Sequence, residues 1–123
     1  MTHSTKRLGQ VGEELAVRHL QSQGLVVLER NWRAALADVR GEVDVIAADG
    51  EAIVFCEVKA RRGAVTDTAF AAVTFAKQRQ LRRLAALYLA GRDARCDVRF
   101  DVVAVTWPPG GGAPTIDHLV GAF

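Results

Sequence analysis

Asp49-Gly50 stands between two strand-like runs, Glu42 to Ala48 and Glu51 to Ala60. Such a pair supplies the positive φ angles that a two-residue type I′ turn requires, so the sequence predicts a β-hairpin. If Asp49 and Gly50 are the whole loop, Ala48 pairs with Glu51, Asp44 lies opposite Phe55 and Glu42 opposite Glu57. Side chains alternate along a strand. Glu42, Asp44, Ile46 and Ala48 would therefore share a face with Ile53, Phe55, Glu57 and Lys59 of the next strand. Asp44 and Glu57 become diagonal neighbours at about 7 Å, a span two carboxylates can close around one cation.

The elements around this hairpin follow from propensity and punctuation. Leu8 to Gln23 favours helix and Gly24 stops it. Glu13 falls in line with Ala16, Val17 and Leu20 and is expected to look inward, whereas Glu14 neighbours Arg18 and Gln21. Leu25 to Leu28 reads as a short strand. Thr74 can cap a second helix that ends near Ala90 before Gly91, with Leu81, Leu84, Ala85 and Tyr88 as its buried stripe. Lys77 lies on that stripe one turn earlier, and Arg79, Arg82 and Arg83 lie round the other side. Val98 to Val105 reads as a fourth strand, and the tail Thr115 to Phe123 has room for one more. The Pro108 to Gly112 run between them is a loop. It is not a phosphate loop, because no Lys-Ser or Lys-Thr and no helix follows it.

The 123 residues suit one domain, 1–123, with its own core. The longest uninterrupted apolar run is the seven residues Leu84 to Ala90, far short of the ~20 that a membrane helix needs. The basic, polar N-terminus carries no export signal, so a cytoplasmic location is expected. Cys56 and Cys96 form no ligand pair and are expected to be packing residues. Net charge is only +2, but it is unevenly distributed: Lys59 to Arg99 holds ten Lys and Arg against three acids, and the remainder six against eleven. Such a split describes either two solvated faces or a phosphate-binding surface beside a carboxylate cluster that holds cations.

Charged groups beside Ile46, Ile53 and Phe55 on one sheet face are costly unless compensated. One compensation is structural, with Glu42, Asp44 and Glu57 bridging to Lys59, Arg61 and Arg40 at a wet face. The other is a cation. Hard oxygen donors with no nearby His or Cys select Mg²⁺ or Mn²⁺ over zinc. Lys59, two positions after Glu57, points to the same side, where its compact ammonium suits a developing phosphate charge or the attacking water. Acids, a cation and a lysine together suggest phosphodiester hydrolysis by in-line attack of a metal-generated hydroxide.

Gly12-Glu13-Glu14-Leu15-Ala16, Asn31-Trp32-Arg33, Gly41 to Ile46, Val54 to Lys59, Val73-Thr74, Lys77-Gln78 and Arg99 to Val103 resemble the bacterial YraN-like family almost end to end. That family is similar to Holliday junction resolvases and restriction endonucleases of the PD-(D/E)xK superfamily. The resemblance implies an α/β fold with a restriction endonuclease-like core of order α-β-β-β-α-β, a mixed sheet flanked by helices. It further implies that Asp44 and Glu57 bind the metal with the Val58 carbonyl, that Lys59 orients or activates water, and that Glu13 completes the acidic cluster. Lys77 and Gln78 would lie near the scissile phosphate; apart from the resemblance, a binding module of this fold would use Lys77, Arg79, Arg82 and Arg83 on phosphates. Phe75 replaces a proline of the family pattern and the segment between Arg33 and Gly41 is longer, differences at the rim of the site. The expectation is a Mg²⁺- or Mn²⁺-dependent DNA endonuclease acting on branched or damaged DNA, as a homodimer if it resolves junctions. The competing expectations are a non-catalytic nucleic-acid-binding module with the same fold, or an accessory partner within a DNA-processing complex.

Overall fold

The computed structural model describes residues 5–35, 38–63, 71, 73–92 and 96–123; the first four residues, part of the N-terminus read above, lie outside them. The chain runs α1 (Thr5–Ser22), β1 (Val26–Arg33), β2 (Glu42–Asp49), β3 (Ala52–Arg62), α2 (Phe75–Ala90), β4 (Asp97–Trp107) and β5 (Thr115–Leu119). The expected helix and strand order is present, and β5 extends it. β1 reaches five residues beyond Leu28, through Asn31-Trp32-Arg33.

The strands form one mixed sheet in the order β1-β2-β3-β4-β5. Only β3 and β4 run parallel. A parallel pair needs a crossover, and α2 supplies it. Their parallel pairing leaves β3 and β4 central and covered on both faces, which is why Val54 to Glu57 and Phe100 to Val105 are continuously buried.

One helix covers each face. Ala16, Val17 and Leu20 of α1 pack on Val45, Ala47, Val54, Cys56, Val103 and Val105. On the other face Leu81, Leu84, Ala85 and Tyr88 of α2 meet Val43, Ile46, Phe55 and Phe100, the stripe that the helix periodicity predicts. Each fully buried Leu contributes roughly 1.5–3 kcal/mol. Tyr88 stands edge-on to Trp32 and Phe55, with ring centroids at 5.2 and 5.8 Å. Thr74 caps α2 as expected, its side chain accepting from the Lys77 N–H at 3.2 Å. Cys56 and Cys96 are both free thiols, and burial pushes that of Cys56 up.

The hairpin turn differs from the expected one. Asp49 pairs with Ala52, so the loop is Gly50-Glu51, and the ladder continues through Ala48–Ile53 and Ile46–Phe55 to Val45–Cys56. Gly50 has φ of 59° and Glu51 has no positive φ, the pattern of a II′ turn. Arg99 explains the shift, because its guanidinium holds the Asp49 carboxylate at 2.7 Å and keeps Asp49 at the end of the strand. The register moves by two residues. Asp44 therefore does not face Phe55, nor Glu42 Glu57; continuing the observed ladder by one step brings Asp44 level with Glu57.

Candidate metal centre

Two local irregularities build the site. Arg30 and Asn31 are consecutive, yet both reach acids on α1: Arg30 pairs with Glu14 at 3.1 Å, and the Asn31 amide donates to Glu13 at 3.0 Å. Adjacent residues of a regular strand point to opposite faces. Asn31 breaks the rule with a φ of 51°, a left-handed conformation that Asn tolerates better than most residues. β2 is irregular at the same level. Val43 and Ile46, an odd number of positions apart, both pack on the α2 side.

The expectation that Glu42 and Asp44 share the face of Ile46 and Phe55 is thus corrected. Glu42 and Asp44 gather with Glu13 of α1, one carboxylate oxygen of each lying within 4.8 Å of the others. Helix α1 comes close enough because of Gly12, where a Cβ would stand 2.8 Å from that of Ala60. Asn31 also lies 3.4 Å from Glu42 and so ties two of the acids together. Glu42 is further paired with Arg33 at 3.1 Å, and Glu14 with Arg30 rather than with its helix neighbours.

Asp44 is the hinge of the arrangement. The β2–β3 ladder stops at Val45–Cys56, and the next N–H, that of Val58, donates to Asp44 Oδ2 at 2.8 Å. A strand residue directs its N–H and C=O to the same neighbour, so the Val58 carbonyl faces this same opening. Burial, then a hydrogen bond to Glu57 and its charge, push the Asp44 carboxyl well above the usual range; the Val58 N–H opposes this and Glu13 adds to it. With nothing else to neutralise it, the Asp44 carboxyl is therefore biased toward its protonated form.

Glu57 is 5% exposed. Its Oε2 lies 3.3 Å from the Lys77 ammonium but makes no hydrogen bond of good geometry, an under-satisfied buried oxygen. Lys59 is half-buried and makes no hydrogen bond or ion pair among the described residues. The donor set fits a hard divalent cation: several carboxylate oxygens, crowded enough to retain a proton, with no soft ligand among them.

The remaining expected residues are dispersed. The Gln78 amide donates to the Val73 carbonyl at 3.2 Å, holding the turn before α2. Arg82 lies over the rings of Phe100 and Phe123, 5.0 and 5.6 Å from their centroids. Arg79 and Arg83 line a different cleft, so the three arginines do not form one surface. Tertiary packing makes the split: the Val39–Arg40 segment meets Arg79 and Arg83, whereas Arg82 turns to Phe100 and Phe123. Sequence reasoning missed Asn31, which lies beyond the strand end at Leu28 that the sequence predicts and inside the observed β1.

A second polar cluster was not anticipated at all. Asp101, fully buried on β4, accepts two bonds from Arg99 at 2.9 Å, one from the Gly121 N–H at 3.0 Å and a contact to His118 Nε2 at 2.8 Å. His118 Nδ1 in turn meets His19 Nε2 of α1 at 3.1 Å. Those partners hold the Asp101 carboxyl down at about 2 although burial alone would raise it.

The model of the family described as "Uncharacterised protein family UPF0102" matches residues 12–105, which include every acid of the site. A UPF0102 protein of Nocardia farcinica is 47% identical over 94% of this chain and 88% of its own length. One from Frankia alni is 47% identical over 94% and 93%, and one from Kineococcus radiotolerans 47% identical over 93% and 91%. With end-to-end identity of this level and the family pattern spanning both helices and the first four strands, the chain belongs to the UPF0102, or YraN-like, family.

Proposed function

We propose that this protein is a Mg²⁺- or Mn²⁺-dependent DNA endonuclease with a restriction endonuclease-like core. The observation that carries the reading is the convergence of Glu13, Glu42 and Asp44 from α1 and β2 within 4.8 Å, with the buried Glu57 of β3 level with Asp44. Asp44, Glu57, Glu13 and the Val58 carbonyl would hold the cation, with Glu42 at its rim. When bound, it supplies positive charge at the scissile phosphate and lowers the pKa of a water. Lys59, without a partner of its own among the described residues, orients the attacking water. Lys77 restrains Glu57 and offers its ammonium to a phosphate oxygen. Expected substrates are branched or damaged DNA.

One observation favours the second reading, a non-catalytic nucleic-acid-binding module: the Lys77–Glu57 ion pair already neutralises one of the acids. Incubating purified protein with labelled linear, flapped and four-way DNA in Mg²⁺, Mn²⁺ or EDTA separates the two. Cleavage that requires the metal is expected. Cleavage undiminished in EDTA, or none on any substrate shape in Mn²⁺, overturns the nuclease.

A further inference from the structure

Beside the acidic cluster the segment before β2 leans over the first turns of α2. Gly41, with φ of 100°, lies so close to the Gln80 side chain that any Cβ there would collide with its amide. That amide donates to the Arg40 carbonyl at 2.8 Å and latches the segment to the helix. Between them opens a cleft of about 620 Å³, lined by Val39 and Arg40 on one side and by Ala76, Arg79, Gln80 and Arg83 on the other. All three arginines are exposed, and none has an ion pair among the described residues. Among the described residues Asp38 is the only acid on the lining. Three such guanidinium groups in a concavity are a standing demand for an anion, and the planar fork of Arg suits phosphate.

We infer that this cleft binds the phosphate backbone of an unpaired DNA strand and leads it to the acidic site, so that the substrate is DNA with a single-stranded portion. The volume is that of a small-molecule site, enough for a nucleotide or two of one strand. Val39 and Ala76 offer an apolar wall to a sugar or base. The connection to the site is short. Arg40 is two residues from Glu42, and Arg83 is six residues from Lys77 on one helix, about 9 Å along its axis. A strand that leaves the cleft along α2 therefore has a short path to Lys77. The inference rests on the nuclease reading only for the destination of the strand.

The test is fluorescence anisotropy in EDTA, where nothing is cut, with a labelled oligo-dT, a blunt hairpin duplex and thymidine monophosphate as competitor. Oligo-dT should bind at least about tenfold tighter than the duplex. An Arg40→Ala, Arg83→Ala double variant should lose about tenfold or more in oligo-dT affinity, and its salt slope should fall by about 1.4, or ~0.7 per phosphate contact removed from a single strand. Arg82→Ala, whose guanidinium lies on aromatic rings, should change affinity less than about threefold. The inference fails if the duplex binds as well as the single strand, if the double variant binds like wild type, or if the monophosphate competes as well as the oligonucleotide. Binding through these arginines by a protein that cuts nothing would sink the nuclease and leave the cleft standing. Metal-dependent cleavage with no effect of the double variant would do the reverse.

Discussion

Asp101 and Asp44 are both enclosed carboxylates on the sheet, and the chain treats them in opposite ways. Around Asp101 it supplies a bidentate guanidinium, an imidazole and a backbone N–H, and the carboxyl is held at about 2. Around Asp44 it supplies one N–H, from Val58, and then two further acids, Glu57 and Glu13, so the carboxyl, raised first by burial, is driven further up. Burial disfavours charge at both sites; partners decide the sign. A carboxylate fully satisfied by its own protein is structural. One crowded by like charges leaves room for a counter-charge, and that difference marks Asp44 as a candidate site residue and Asp101 as scaffold.

The comparison breaks most visibly through stability. Arg99→Ala leaves Asp101 buried without its main counter-charge and should destabilise by about 3 kcal/mol in chemical denaturation, the scale of breaking a buried pair. Asp44→Asn, which removes one of several crowded charges, should cost nothing in EDTA. Acid sharpens the same contrast. Asp101 has a folded pKa of about 2, below an unfolded value near 3.9, so its stabilisation is complete above about pH 4 and is lost as pH falls toward 2. Its charged and titratable neighbours are Arg99, Asp49, His118 and, through His118, His19. Stability of Asp101→Asn should be flatter with pH across that window. If Arg99→Ala melts like wild type, the Asp101 cluster is not the structural one.

Catalysis offers the next largest effect. Glu57→Gln and Lys59→Met should each suppress cleavage by at least about a hundredfold, the scale of removing one positioned electrostatic group, while DNA affinity in EDTA falls far less. Either variant cutting at the wild-type rate would remove that residue from the site.

Metal binding gives the smallest expected effect. A cation that binds only the folded state stabilises by roughly 1.4 kcal/mol at ten times its dissociation constant, and Asp44→Asn should lose most of that gain. Melting curves in EDTA and in Mn²⁺ decide it. A variant that melts well below wild type in EDTA yet gains as much from Mn²⁺ makes Asp44 a structural residue like Asp101.

Sequence by itself determined the local framework. Periodicity and caps were enough for both helices, including the buried stripe Leu81, Leu84, Ala85 and Tyr88, because propensity and amphipathic spacing act over a few residues. A strongly turn-forming Asp-Gly placed the hairpin, and the acids and lysine were visible as charges among apolar strand residues. Only the tertiary structure decided the register and the company each charge keeps. Arg99, fifty residues from Asp49, moved the turn by one position. Asn31, on another strand, gathered Glu13 and Glu42. Arg79 and Arg83 parted from Arg82 only because a segment anchored at Gly41 meets one face of α2 and not the next. Alternation along a strand is a local rule, and a single left-handed residue or a long-range ion pair overrides it at a cost that a packed core readily offsets.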